Sequence, residues 1–211
     1  MTRPGLIRIG ALVSGSGSNL QAIIDAVESG RVNGELVVVI SSNSKAYALE
    51  RSRNHGIPTE VVLYEDCSDR SSFSRTIAET LKRYRVDLAC LAGFTRILDP
   101  LFFELFHGDV MNIHPALLPA FGGKGMYGRR VHEAVIQSGA RFSGATVHFV
   151  TEECDVGPII IQDVVPVDDD DSPDTLAAKV LQVEHAIYPK AVELYCAGVL
   201  EVDGMRVRRR G

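Results

Sequence analysis

Ile7-Arg-Ile-Gly-Ala-Leu-Val13 runs directly into Ser14-Gly-Ser-Gly-Ser-Asn-Leu20, and these two segments decide the fold class. The first is apolar enough to be a buried strand, and the second places two glycines where a helix begins. A strand that enters a helix through a glycine-rich turn is the first unit of a doubly wound α/β domain. We therefore predict a mostly parallel sheet whose first turn can hold an anion.

The same alternation of strand and helix continues through the first half of the chain. The predicted strands are apolar on both faces, which is typical of a parallel sheet that is covered by helices on both faces. After a first helix at 19–29, we expect strands at 36–41, 59–63 and 88–92 and helices at 46–55, 70–84 and 100–106. The pattern predicts a single-domain doubly wound α/β fold with a Rossmann-like half over residues 1–106.

The second half, residues 107–211, has a looser pattern that includes a glycine-rich loop. The expected elements are a strand at 110–113, a helix at 130–138, strands at 143–150 and 159–166, and a long helix from 172 to 197. We expect the two longer strands to be antiparallel neighbours at the edge of the sheet. The arginines that follow the long helix are interpreted as a solvated, frayed end: Arg206, Arg208, Arg209 and Arg210.

Composition and charge exclude several classes of protein. With 211 residues, 45% of them hydrophobic, the chain has the length and content of one ordinary soluble domain. The net charge of −5 argues against a nucleic-acid surface, and neither a membrane span nor a signal peptide is predicted. The four cysteines form no CxxC pair, so we predict no metal site and no disulfide framework. We expect a cytoplasmic protein without nucleic-acid or membrane partners.

The turn between Ser14 and Leu20 is a candidate phosphate site. Its glycines let backbone N–H groups approach an anion, and the helix start adds partial positive charge. As a dinucleotide fingerprint it fails, because Leu20 stands where a third glycine is needed and Ile40-Ser-Ser-Asn43 offers no acid for a ribose hydroxyl. The turn therefore favours a ligand with a single phosphate, and a purely structural tight turn is the alternative.

Asn112 and His114 are the second candidate, in Val110-Met-Asn-Ile-His-Pro-Ala-Leu-Leu-Pro119. Two residues apart on a strand, they project to the same side at its carboxyl end. An amide donor beside an imidazole suits a reaction in which negative charge develops on an oxygen while a proton moves, as in acyl or formyl transfer. The alternative is a buried pair that is satisfied by loop backbone.

Five blocks of the sequence, in order and at compatible spacing, resemble the phosphoribosylglycinamide formyltransferase family, a folate-dependent family of purine synthesis. The blocks are 14–24, 91–98, 112–119, 144–150 with 155–158, and 184–189. The resemblance implies transfer of a formyl group from 10-formyltetrahydrofolate, as cosubstrate, to the amino group of glycinamide ribonucleotide. It implies no metal, and we expect a monomer or a homodimer.

The resemblance also implies roles for individual residues. The catalytic residues would be Asn112, His114 and Asp155. The ribonucleotide would be bound by Gly17, Ser18, Asn19 and Glu184. The folate would be bound by Arg70, Thr95, Arg96, Ile97, Leu98 and Asn112, between apolar walls at Leu91 and Phe94. The resemblance further implies that residues 107–211 form the catalytic and folate-binding half. Two residues depart from the family pattern, Ala116 and Val156, and would reshape the folate loop slightly.

In the implied reaction, the amine attacks the formyl carbon and Asn112 donates to the oxygen that becomes anionic. His114 would support that oxygen as imidazolium, and Asp155 would orient His114 and favour its protonated form. His148 is interpreted as a satisfied inner histidine. The rival readings are a methionyl-tRNA formyltransferase, a formyltetrahydrofolate deformylase and a non-enzymatic nucleotide-binding module. We expect neither the extra C-terminal domain of the first nor the N-terminal regulatory domain of the second, and the third leaves Asn112, His114 and Asp155 unexplained.

Overall fold

The computed structural model describes residues 5–210. The strands are β1 (Ile7–Val13), β2 (Gly34–Ser41), β3 (Thr59–Val61), β4 (Leu88–Leu91), β5 (Asp109–His114), β6 (Phe142–Phe149), β7 (Ile159–Pro166), β8 (Leu200–Asp203) and β9 (Arg206–Arg209). The helices are α1 (Ser18–Glu28), α2 (Tyr47–Asn54), α3 (Arg70–Arg83), α4 (Pro100–Leu105), α5 (Arg129–Gln137) and α6 (Pro173–Cys196), with a short 3₁₀ helix at Tyr64–Asp66. Every predicted element is present, with ends that differ by at most two residues.

The strands form one nine-stranded sheet in the order β3-β2-β1-β4-β5-β6-β7-β9-β8. The strands from β3 to β5 are parallel, β6 is antiparallel to both β5 and β7, and β9 is parallel to β7. The doubly wound, mostly parallel fold is therefore confirmed. The chain order reverses between β1 and β4, and ligands of such sheets bind at the carboxyl ends of the strands near this point.

Two layers of buried apolar side chains lie on the two faces of the sheet. One layer is packed under α1, α5 and α6, and its largest fully buried side chain is Tyr188. The other is packed under α3 and α4 and includes Phe73 and Phe102. The two longest helices begin with reciprocal caps, Asp69 with Ser72 and Ser172 with Thr175, which satisfy the first free N–H groups of each helix. These caps fix where α3 and α6 start.

The C-terminal arginines were predicted to form a frayed end, and this prediction is wrong. Residues 200–209 form a β8–β9 hairpin that adds to β7, so β7 does not lie at the edge of the sheet. Ion pairs of Arg208 with Asp203 and of Arg210 with Glu201 hold the hairpin. An Asp-Gly pair at the turn, with Gly204 at a φ of 59°, is the sequence signal that indicates the hairpin.

None of the helices described is both long and apolar enough to cross a membrane.

Candidate active site

A cavity of about 570 Å³ opens at the carboxyl ends of β4 and β5, next to α6. Most of the residues singled out in the sequence line it: Asn19, Thr95, Arg96, Ile97, Leu98, Asn112, His114, Asp155 and Glu184. Its walls also include apolar side chains from the strand ends, Leu91, Phe94 and Val150 among them. The structure therefore brings residues from five separate sequence blocks to one site.

Asn112 is held by a histidine on the neighbouring strand. Antiparallel pairing of β5 with β6 sets His148 opposite Asn112, and the amide Nδ2 lies 3.2 Å from the ring Nε2. The other ring nitrogen, Nδ1, donates to the Phe149 carbonyl oxygen at 2.8 Å, so Nε2 is the acceptor and Asn112 the donor. Burial lowers the pKa of His148, which keeps the ring neutral and able to accept. One N–H of Asn112 is thus committed, and the other remains for a ligand.

His114 is buried and is contacted by two loops. Its Nε2 donates to the Phe121 carbonyl oxygen at 2.8 Å, and its Nδ1 lies 3.6 Å from Oδ2 of Asp155. Asp155 also lies 3.9 Å, through Oδ1, from Nε2 of His148. The carboxylate therefore lies between two imidazoles, in a site where its side chain is 10% exposed. One ring nitrogen of each histidine, Nδ1 of His114 and Nε2 of His148, is therefore directed at the carboxylate.

Asp155 reaches this position through a left-handed backbone conformation, with a φ of 59°. Such a conformation costs a non-glycine residue on the order of 1 kcal/mol and persists where the surroundings hold it. Gly123 provides one such contact, because its N–H donates to Oδ2 of Asp155 at 2.8 Å. Gly157 allows the close return of the loop, since a Cβ there would lie 1.6 Å from the Phe149 carbonyl oxygen. The strain is located at a candidate catalytic residue.

Thr146 and Gln162 fix the chain that leads from His114 to Phe121, and the sequence analysis missed both. The Thr146 hydroxyl donates to the Ala116 carbonyl oxygen at 2.6 Å and accepts from the Leu118 N–H at 3.0 Å. Gln162 donates to the Leu118 carbonyl oxygen at 2.8 Å. Thr146 and His148 are two residues apart on β6 and therefore lie on the same face of the strand, as Asn112 and His114 do on β5. This i, i+2 spacing is the sequence signal that could have indicated Thr146.

Asn19 and Glu184 form a buried polar pair that also lines the main cavity. Nδ2 of Asn19 donates to Oε2 of Glu184 at 2.7 Å. Burial raises the pKa of Glu184 to about 7, although the hydrogen bond from Asn19 acts in the opposite direction. Oδ1 of Asn19 is buried and has no hydrogen-bond partner among the described residues. A buried acceptor without a partner is costly, so the pair is suited to a ligand that donates hydrogen bonds.

The glycine-rich turn has the geometry of an anion site. Gly17 caps α1 with a φ of 72°, and a Cβ at this position would lie 2.6 Å from Cβ of Ala48, so only glycine fits. The first N–H groups of α1 follow directly. Ser18 faces a smaller, polar cavity of about 380 Å³ beside the main one, which His185 also lines. Asn19 and Glu184, the next residue to Ser18 on α1 and to His185 on α6, line the main cavity, so adjacent residues of the two helices line the two cavities.

The segment Thr95–Leu98 lies along the main cavity, but Arg70 does not line it. Arg70 is paired with Asp99, with Nη2 3.0 Å and Nε 3.1 Å from Oδ2. Phe94 is held in the wall by stacking on Phe73, with ring centroids 6.4 Å apart. The folate-binding role of Arg70 thus requires that this ion pair be shared or broken, and that role stays a prediction.

In the described part of the chain, neither a thiol nucleophile nor a metal site is supported by the geometry. Cys154 lines the cavity beside Asp155, but burial raises its pKa to about 11, so the thiol is protonated at neutral pH. Among residues 5–210, no group of three or more His, Cys, Asp or Glu side chains could hold a metal ion. The groups that remain are an amide donor, two imidazoles and a carboxylate.

Together, the sheet and this cavity define a doubly wound α/β protein with a site of amide, imidazole and carboxylate groups at the carboxyl ends of its strands. A family model described as formyl transferase matches residues 7–192. The chain belongs to the formyl transferase family.

Relatives of this chain agree with that assignment. Phosphoribosylglycinamide formyltransferase of Escherichia coli (strain K12) is 38% identical over 212 residues, covering 97% of this chain and 98% of that one. The chloroplastic phosphoribosylglycinamide formyltransferase of Vigna unguiculata is 42% identical, covering 90% of this chain. Glycinamide ribonucleotide transformylase 1 from Symbiobacterium toebii superposes with a TM-score of 0.93 at 42% identity, covering 98% and 95% of the two chains.

Some relatives are much longer than the matched region. The chain spans 61% of the length of the Vigna unguiculata protein. It spans 19% of the trifunctional purine biosynthetic protein adenosine-3 of Bos taurus, to which it is 39% identical.

Proposed function

We propose that the protein transfers the formyl group of 10-formyltetrahydrofolate to the amino group of glycinamide ribonucleotide, as a phosphoribosylglycinamide formyltransferase of de novo purine biosynthesis. One observation carries the proposal. Asn112, His114 and Asp155 converge in a cavity that is also lined by the buried pair of Asn19 and Glu184, in which Oδ1 of Asn19 has no partner among the described residues. A donor for an oxyanion and a binding site for a polar second substrate would therefore share one cavity.

The ribonucleotide would bind with its phosphate at the start of α1. The N–H groups of Gly17, Ser18 and Asn19 would hold the dianion, which the helix dipole also favours. The ribose hydroxyls would then donate to Glu184 and to the free oxygen of Asn19. This placement directs the glycyl amine toward the end of β5.

The folate would occupy the part of the cavity next to β4. Leu91, Phe94 and Leu98 would contact the faces of the pterin, while backbone groups of 95–98 would bind its polar edge. The formyl group on N10 would then lie between the amine and Asn112. Both halves, 1–106 and 107–211, would therefore contribute to binding. The folate would lie mainly against 91–98 in the first half, and the ribonucleotide would contact α1 in the first half and Glu184 in the second. Catalysis would use β5 and the loop after β6, both in the second half.

The reaction needs no covalent enzyme intermediate. The amine lone pair forms the bond to the formyl carbon, and the C=O π electrons move to the oxygen, which accepts the free N–H of Asn112. His114 as imidazolium would stabilise this oxygen through Nδ1–H, because the Phe121 carbonyl oxygen holds Nε2–H, and Asp155, 3.6 Å from Nδ1, would stabilise the positive ring. When the intermediate collapses, the bond to N10 breaks. The proton that N10 gains balances the one that the amine loses, and His114 would assist this transfer.

The partners that fit this proposal are the two small molecules. We further propose that the protein acts in the cytoplasm as a monomer or a homodimer, without nucleic-acid or membrane partners.

The test follows the absorbance change of the folate with and without glycinamide ribonucleotide. We expect turnover only when the ribonucleotide is present, and none in the Asn112→Ala, His114→Ala double variant. Folate consumption that is independent of the ribonucleotide would instead indicate a deformylase, because water would then be the acceptor. No turnover in either mixture would refute the proposal.

A further inference from the structure

Helix α2 contacts the glycine-rich turn from outside the main cavity. The N–H of Ala48 donates to the Gly15 carbonyl oxygen at 3.2 Å, and Nε of Arg51 donates to the Ser16 carbonyl oxygen at 2.9 Å. The backbone of Gly17 packs against Ala48 with no room for a side chain. Three successive residues of the turn, Gly15, Ser16 and Gly17, are therefore each held by α2.

We propose that Arg51 is a positioning residue for the phosphate of the ribonucleotide, acting through the Ser16 carbonyl group. The inference rests on the proposed function and adds a residue that the sequence analysis did not single out. The C=O and N–H bonds of a trans peptide point in opposite directions, so a donor that fixes the Ser16 oxygen also fixes the direction of the Gly17 N–H. That N–H belongs to the group of donors proposed to hold the phosphate.

The guanidinium of Arg51 is itself fixed at three points. Besides Ser16, its Nη1 donates to Oε1 of Gln21, which lies one turn into α1, at 3.1 Å. Its carbon lies 4.9 Å from the ring centroid of Tyr47, one turn earlier on α2. One planar fork therefore ties α2, the turn and α1 together, and a lysine cannot reproduce this geometry because it carries a single nitrogen.

The positive charge of Arg51 could also contribute to phosphate binding, in addition to the hydrogen bonds of its guanidinium. Arg51 lines the smaller cavity together with Ser18 and His185. Burial lowers the pKa of His185, and the positive charge of Arg51 lowers it further, so the imidazole next to this cavity is neutral at pH 7. Arg51 thus supplies positive charge on this wall in addition to holding the Ser16 carbonyl.

The experiment compares Arg51→Gln and Arg51→Lys with Arg53→Gln. Arg53 is exposed on the same helix, so its substitution removes the same charge without touching the turn. We expect Arg51→Gln to raise KM for the ribonucleotide about tenfold or more. Arg51→Lys should raise it severalfold, whereas Arg53→Gln should change it less than twofold. KM for the folate should stay within twofold in all three variants.

Binding of ribose 5-phosphate, measured by calorimetry, separates this inference from the proposed function. The same order of affinities is expected there, whether or not formyl transfer occurs. If the wild type binds ribose 5-phosphate with this dependence on Arg51 but does not transfer a formyl group, the inference holds and the proposed function fails.

Several results would overturn the inference. The first is that Arg51→Gln and Arg53→Gln have the same KM for the ribonucleotide. The second is that Arg51→Gln raises KM for the ribonucleotide and KM for the folate equally, because a general structural defect would affect both substrates. Wild-type behaviour of Arg51→Lys would assign the whole effect to charge and refute positioning. Should Arg51→Gln fail to fold, as monitored by thermal unfolding, Arg51→Lys carries the test.

Discussion

Glu184 is a residue at which stability and activity are expected to change in opposite directions. The residue is 7% exposed, and burial raises the pKa of its carboxyl group from an ordinary 4.5 to about 7. Between these two pH values the folded protein holds a proton that the unfolded chain has lost. Stability therefore falls as the pH rises from 4.5 to 7, and above pH 7 the full cost of the buried charge is present.

The change in the free energy of unfolding follows from the difference between the pKa values of Glu184 in the folded and the unfolded chain. A rise from 4.5 to about 7 corresponds to a loss of about 3 kcal/mol in the free energy of unfolding above pH 7. Glu184→Gln removes the titration while keeping the size of the side chain and an oxygen that accepts from Asn19. The variant should gain stability over the wild type by up to about 3 kcal/mol between pH 5 and pH 8.5.

Urea unfolding at several pH values from 5 to 8.5 measures this gain. Glu193→Gln, at a surface position of the same helix, is the control, and its difference from the wild type should not vary with pH in the same way. At pH 8, Glu184→Gln should also raise KM for the ribonucleotide about tenfold, because an amide oxygen accepts hydroxyl protons less strongly than a carboxylate. A stability difference that stays constant from pH 5 to 8.5 would refute the assigned burial cost.

Four further single variants and one double variant test the rest of the site. Asn112→Ala should lower kcat by about 10²- to 10³-fold with little change in either KM, and near-normal turnover would remove Asn112 from the mechanism. Asn19→Asp sets a second carboxylate beside Glu184 and should raise KM for the ribonucleotide far more than KM for the folate, whereas equal effects would contradict the phosphate assignment. His114→Ala and Asp155→Asn should each lower kcat strongly, and their double variant should be scarcely slower than the slower single one; additive losses would mean that they are not partners.

Local patterns in the sequence were sufficient for the elements from β1 to α6 and for half of the site. The apolar runs and the glycine-rich turn predict β1 and α1, and the i, i+2 spacing on β5 predicts that Asn112 and His114 share a face. Both inferences depend on residues that are close in the chain. The same is true of the cap at Ser172, which predicts the start of α6.

The remainder depends on pairing between distant segments, which a single sequence does not specify. His148 binds Asn112 only because β6 pairs with β5 in one particular register, and a shift by one residue would turn it to the other face. The ion pair between Arg70 and Asp99 joins the starts of α3 and α4, which the alternation of elements does not bring together. The missed hairpin differs from these cases, because its Asp-Gly turn is a local signal.

The antiparallel strand β6 also explains why Asp155 is strained. Phe149, at the carboxyl end of β6, pairs with Met111 near the start of β5, whereas His114 is at the far end. A loop that leaves β6 there must fold back along the sheet for its carboxylate to reach His114. The left-handed backbone at Asp155 and the close approach at Gly157 are the geometric consequences of this return. Because Gly123 and Phe121 of the glycine-rich loop hold Asp155 and His114 in turn, the loop that borders the cavity also supports the strained conformation of Asp155.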